Sequence, residues 1–166
     1  MLALPLAFAL AVAAPPQSAG GRFPQFEDYP AREIFNGKPA PPKLLRPGDR
    51  LFRTRIREGA AKGPNFAGYY SIAEWGCGTS CVSIAVVNAK TGDVYSGPFG
   101  ILGYGSVLKY ADVSEDKYEP LSYRLNSRLL IVRGCPEDDN CASYFYEWKG
   151  STFRLLRKIT PVEIPH

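Results

Sequence analysis

Histidine is nearly missing from this chain: the only one in 166 residues is His166, the last. Its scarcity removes Ser-His-Asp and Cys-His mechanisms, and any histidine metal site, unless the terminus folds inward. No charged side chain precedes Arg22. The apolar run from Leu2 to Ala14 is too short to span a bilayer, and no later segment is long and apolar enough to do so. A large excess of one charge is missing too: 20 Lys and Arg stand against 16 Asp and Glu, a net +4. That is mildly basic and not a nucleic-acid footprint. With 45% hydrophobic and 13% aromatic residues the composition is that of a globular protein.

What is there begins with that apolar run. Leu2–Ala14 fits the hydrophobic region of a secretory signal peptide, with small residues at Ala11-Val12-Ala13 and Ala19 where a peptidase could cut. Only the amino terminus supplies the positive charge that a leading Lys or Arg usually gives. No cysteine lies near the site, so no lipid anchor is expected. The expected division is a signal peptide over 1–19, a proline-rich arm over 20–48, one domain over 49–160 and a tail over 161–166. Removing the signal leaves about 150 residues, the size of one domain with one core.

The arm contains Pro24, Pro30, Pro39, Pro41, Pro42 and Pro47. It cannot supply a central strand or a long helix, because each proline lacks an amide donor. Phe23, Phe26, Tyr29, Ile34 and Phe35 mark it as packed on the domain, with a helical turn expected around 31–35. One helix is expected from "GDRLFRTRIREGAAKGPN". Asp49 serves as N-cap, Phe52, Ile56 and Ala60 form its stripe, and Gly63-Pro64 is its stop. Strands are expected over 66–75, 82–88, 94–96, 121–125, 128–133, 142–148 and 152–159, joined by short turns. In the last, Phe153, Leu155 and Ile159 face one way, and Arg154 and Lys158 the other. The glycine-rich "GPFGILGYGS" reads as a flexible turn, since it is not a dinucleotide fingerprint and no helix clearly follows. The fold class is α+β: an antiparallel β meander with one N-terminal helix packed on the sheet.

Four cysteines in an exported chain argue for two disulfides. Cys77 ends one expected strand and Cys81 begins the next; Cys135 and Cys141 stand in the same relation. Facing residues of an antiparallel pair lie about 4.5 Å apart at Cα, within the range of about 4.4–6.8 Å that disulfides take. Two hairpin-clipping bridges, 77–81 and 135–141, are therefore favoured over the crossed connectivities. A crossed bridge would close a longer loop and gain roughly 2 kcal/mol more, too little to decide the matter. A working thiol pair would need a helix start or a nearby cation to lower its pKa. Here Glu74 is the nearest charge and two strands flank the spacing. A zinc site would need a reducing compartment.

Several residues carry a weaker functional signal. Tyr69, Trp75 and Trp148 could form an aromatic recognition surface if they faced solvent; packed inward, with Tyr144 and Tyr146, they are core. Arg50, Arg53, Arg55 and Arg57 crowd the helix, and Arg53 and Arg57 are candidates for an anionic partner. Gly76 and Gly78 could bare amides near Thr79 as an anion nest, or could merely let the Cys77–Cys81 ring close. Glu74 and Glu147 could pair as general acid and base, although cross-strand partners for arginines such as Arg128 or Arg133 explain them as well. The acidic "PEDDN" loop lacks calcium-ligand spacing. No metal and no cofactor is expected.

"GPNFAG" followed by "WGCGTSC", with "VNAKTGDVY", "SRLLIVRGC" and "YFYEWKG" later, resembles a family of small uncharacterised exported bacterial proteins, over roughly Phe26 to Lys158. The family pattern has a histidine where this chain carries Tyr69, so a function resting on that side chain is lost here or managed without it. The resemblance implies export and a common fold and assigns no reaction. The expectation is a periplasmic or secreted binding protein, an inhibitor or accessory, whose partner is an envelope protein or glycan. The rival is an envelope enzyme using thiol-redox or carboxylate chemistry.

Overall fold

The computed structural model of the chain describes residues 22–111 and 114–160. The expected signal peptide and tail lie outside them, as does the very start of the arm. The longest ladder joins β1 (Tyr70–Gly78) to β2 (Cys81–Asn88), antiparallel, with Tyr70 opposite Asn88 and Trp75 opposite Ser83. At the end of β2 the Asn88 side chain accepts hydrogen bonds from the Lys90 and Thr91 amides, at 2.9 and 3.3 Å. This fixes the turn that returns β3 (Val94–Ser96) against β2. A second meander runs through β5 (Leu121–Tyr123), β6 (Leu129–Pro136), β7 (Ala142–Trp148) and β8 (Phe153–Ile159). Between the two lies β4, only Leu102–Gly103, where Gly103 pairs with Cys81 on one side and Cys135 on the other. The result is one eight-stranded antiparallel sheet in the order β1-β2-β4-β6-β7-β8, with β3 on β2 and β5 on β6.

The sheet curls, because Tyr70 of β1 meets Trp148 of β7 with ring centroids 5.1 Å apart although three strands separate them in the ladder. Strand periodicity sends alternate residues inward. Ile72, Val82, Ile84, Val86, Leu130, Val132, Tyr144 and Trp148 fill the concave side. Their neighbours face out and are covered by two different elements. Ala85 and Val87 lie under Ile56 and Ala60 of the helical segment. Leu129, Ile131 and Phe145 lie under Phe23, Phe26 and Tyr29 of the arm.

Backbone bonds hold that arm along its length. The Ala31 amide donates to Asn126 O (2.8 Å), Phe35 to Gly68 O (2.9 Å), Ala40 to Ala89 O (2.8 Å) and Lys43 to Gly92 O (2.7 Å). Gly68 makes the contact possible. Its φ is +87°, and a Cβ there would lie 1.7 Å from the Glu33 carbonyl oxygen.

The α+β description holds in its coarse form, but its single N-terminal helix does not. Helices lie mid-chain, as α1 (Pro47–Leu51), α2 (Arg53–Ala61) and α3 (Gly105–Ala111). Pro47 starts α1 two residues ahead of Asp49, whose carboxylate instead accepts from the Arg46 amide at 3.2 Å. Phe52 leaves the helical path (φ −102°, ψ 20°) and stacks on Trp75, 4.9 Å between centroids, which divides α1 from α2. The glycine-rich loop is more than a turn, since it holds β4 and leads into α3. No helical turn forms over 31–35; the arm's turn is a 3₁₀ turn at Phe26–Asp28. In β8 the facing partners jump from Phe145–Arg157 to Tyr146–Leu155, so Leu156 is an unpaired bulge residue. Alternation breaks there: Phe153 packs on the concave core, Leu155 is half exposed, and Leu156 and Ile159 pack with Phe145 on the outer face under the arm.

Candidate functional site

Strand ends from four parts of the chain converge on one small cleft. Tyr69 and Tyr70 come from the start of β1, Arg128 from just before β6, Trp148 with Lys149 and Gly150 from the end of β7, and Arg32 from the arm. Its volume is about 100 Å³. The Trp148 amide donates to the Arg128 carbonyl at 2.8 Å, which ties two of these ends together. The Arg128 Nε donates to Pro30 O at 3.1 Å and draws the arm in beside them.

The walls are aromatic. Tyr69 stacks on Tyr70 (4.6 Å), and Tyr95 and Phe153 close on Trp148 at 5.5 and 4.7 Å. The Tyr70 hydroxyl donates to Gly150 O at 3.0 Å. Burial, reinforced by the neighbouring Tyr69, pushes its pKa above that of a free tyrosine, so it stays a neutral donor. The Trp148 indole N–H leans toward that hydroxyl but meets proper bonding geometry with no acceptor among the described residues. Lys90 lies 4.5 Å over the Tyr69 ring and pairs with Glu33 at 2.7 Å.

The charge beside the cleft is unbalanced. Buried Glu147 receives a very short hydrogen bond from Arg128, one from Arg154 at 2.6 Å and one from Lys149 at 3.5 Å. Burial alone would raise its pKa. The bonds from Arg154 and Arg128, with the Lys149 charge, outweigh burial and hold the carboxyl below the usual carboxylate range. Three cations thus share one carboxylate. Arg32, exposed on the rim, adds a fourth and has no acidic partner among the described residues. Such a site attracts an anion, with flat rings to seat whatever carries it.

The weaker sequence candidates do not form one site. Tyr69 and Trp148 share the cleft. Trp75 lies under Phe52 in a groove beside α1 and α2, and its indole N–H likewise lacks an acceptor. Arg53 and Arg57 are exposed on α2, and Thr79 is exposed at the β1–β2 tip. Tyr144 and Trp148 are buried and Tyr146 is half-buried, so that stripe packs inward. Glu74 and Glu147 have separate partners: Glu74 accepts a very short hydrogen bond from Tyr123 and lines another cleft.

The disulfides are Cys77–Cys81 and Cys135–Cys141, with Cα separations of 5.2 and 3.9 Å and no free cysteine. Cys77 sits in a bulge, since Gly78 and not Cys77 faces Cys81. At this tip an anion is already bound, and it belongs to the chain. The Ser80 amide (3.0 Å) and hydroxyl (2.6 Å) both donate to Glu115.

Arg32 and Lys149 were not among the sequence candidates. Lys149 could have been found, because it follows the clear strand ending at Trp148 and must stand at its mouth. Arg32 lies two residues after Pro30 in a segment without periodicity, and only the arm's backbone bonds bring it to the cleft. Comparison with protein-family models, with curated proteins and with solved structures finds no match to this chain.

Proposed function

We propose that the protein is an exported, disulfide-clipped binding protein, an inhibitor or accessory of an envelope or secreted partner, whose cleft takes an anionic group from that partner. The observation that carries this reading is the excess of cations: Arg32, Arg128 and Lys149 line the cleft beside Tyr69, Tyr70 and Trp148, and Arg128 and Lys149 share the one carboxylate of Glu147 with Arg154. Size narrows the ligand. Pockets for drug-sized molecules run to about 300–1,000 Å³, so a cleft of about 100 Å³ takes one carboxylate or phosphate at the end of something larger. An acidic glycan or a peptide terminus has that form. Two bridges with no free cysteine support a compartment that keeps cysteines oxidised.

Calorimetric titration with inorganic phosphate and with a uronic-acid oligosaccharide tests the reading. Binding should weaken by about tenfold or more in Arg32→Ala/Lys149→Ala, since a lost charge-assisted hydrogen bond is worth at least that. The circular dichroism of the variant should be unchanged. Equal affinity in the double variant, or no heat with either probe, would overturn it.

A further inference from the structure

The cleft leaves unused the most basic part of the chain. Residues 43–62 carry seven Lys and Arg against two acids, an excess of five, whereas the whole chain has an excess of four. All of the net positive charge therefore resides in this one segment. Three of its cations are neutralised locally, by Lys43–Asp93 at 2.9 Å, Arg46–Asp49 at 2.7 Å and Arg55–Glu58 at 3.4 Å. Lys62, at the end of α2, is not, and neither are Arg50, Arg53 and Arg57. Arg50 and Arg53 donate only to carbonyls, Leu44 O at 3.3 Å and Arg50 O at 3.2 Å. Arg57 has no acidic partner among the described residues. Arg53 and Arg57, four residues apart on α2, share one side of that helix, and the Arg53 guanidinium reaches back across the break at Phe52 to the Arg50 carbonyl.

Exposed apolar side chains stand in the same segment. Leu45 is 73% exposed and Leu51 is 74% exposed, and Phe52, stacked on Trp75, is 38% exposed. The helical segment has already buried its inward stripe, Ile56 and Ala60, against β2. Leu45 and Leu51 are thus left over from the core; the bond from Arg50 to the Leu44 carbonyl keeps Leu45 close to Arg50, and Leu51 follows Arg50 in the chain.

We infer that this face docks on an anionic phospholipid surface, with Arg50, Arg53 and Arg57 on headgroup phosphates and Leu45 and Leu51 entering the acyl boundary. Charge complementarity points to an anion, and the leucines decide which. A nucleic acid or an acidic peptide would meet the arginines and leave both leucines in water. A lipid interface takes both sets. The contact is peripheral, since among the described residues no helix is long and apolar enough to cross a membrane.

Sedimentation of the purified protein with vesicles tests this, using phosphatidylglycerol mixed with phosphatidylcholine against phosphatidylcholine alone. The protein should pellet with the anionic vesicles only and be released by salt. Each surface cation is worth about fivefold in partitioning. Arg50→Gln/Arg53→Gln/Arg57→Gln should therefore bind on the order of 100-fold less. Leu45→Ser/Leu51→Ser should also bind less, with its salt dependence kept. Should the arginine variant misfold, the salt titration and the leucine variant carry the test. Unchanged vesicle binding in the leucine variant, or no preference for the anionic vesicles, would overturn the inference. So would binding to polyglutamate as tight as binding to vesicles, which would give the face to an acidic protein.

Discussion

Replacing Glu147 by glutamine keeps the shape of the side chain and removes the charge that three cations share. Removing one partner of a buried ion pair costs about 3–5 kcal/mol, because the other is left uncompensated. Two of the three partners here reach water, with Lys149 48% and Arg154 61% exposed, while Arg128 is 24% exposed. Solvent takes up part of the loss, so about 2–3 kcal/mol is expected at neutral pH. At about 2–4 °C per kcal/mol for a chain of this size, the melting temperature should fall by roughly 4–12 °C. The pH dependence is the sharper test. The Glu147 carboxyl is held below its usual pKa in the folded state. Its stabilisation is therefore complete above the pKa of the unfolded chain, and is lost as pH falls through the lower folded value. Urea titrations from neutral to strongly acid pH should show wild-type stability falling toward that of Glu147→Gln, the gap closing in acid. A variant as stable as wild type at neutral pH, or a gap that does not shrink in acid, would refute the reasoning. The same variant frees Arg128 and Lys149, so phosphate should bind it more tightly than it binds wild type.

Two further outcomes are expected. Gly68→Ala should loosen the arm, through the clash with the Glu33 carbonyl and the positive φ; limited proteolysis should then cut within residues 22–46 much faster than in wild type, and unchanged resistance would count against the arm's docking. Serine in place of Cys77 and Cys81, or of Cys135 and Cys141, should each lower stability by about 2 kcal/mol, the value for rings this small, with phosphate affinity per folded molecule unchanged in a calorimetric titration.

The strands were legible where side-chain chemistry is local. Val94–Ser96 follows turn residues and Ala142–Trp148 has aromatics at four of its seven positions, and both fall where expected. The clipped hairpins were legible because each cysteine pair flanks a turn. Failures occur where a distant contact decides. Phe52 breaks the helix to reach Trp75, a residue more than twenty positions away that no helical pattern announces. β4 has two residues and no propensity of its own, and exists because β2 and β6 leave a gap for it. The bulge at Leu156 reverses the alternation that the sequence shows through Leu155. In the cleft, Tyr69 and Trp148 were visible as aromatics, but their meeting depends on the curl of the whole sheet. Arg32 depends on where the arm is tied.

Strand direction separates stapling from binding. β1 runs from Tyr70 at the cleft to Gly78 at the first bridged tip, and β6 runs from Leu129, next to Arg128 at the cleft, past Cys135. β7 returns from Ala142, beside Cys141, to Trp148. Both disulfides therefore lie at one end of the curled sheet and the cleft lies at the other. At the bridged end Gly103 pairs with Cys81 on one side and Cys135 on the other, so each bridge clips a hairpin that flanks the two-residue strand joining the meanders. So short a strand is the weakest seam of the sheet, and clips on both of its neighbours hold that seam in register. Once the seam is fixed, the opposite ends of β1 and β7 are held at a set distance, and there the rings and cations meet. The bridges act on the cleft through the sheet and not by chemistry, since no cysteine reaches its lining. Cys77, Cys81 and Cys135 instead line a separate cleft of about 590 Å³ at the bridged end, and there all of them are tied up in bridges.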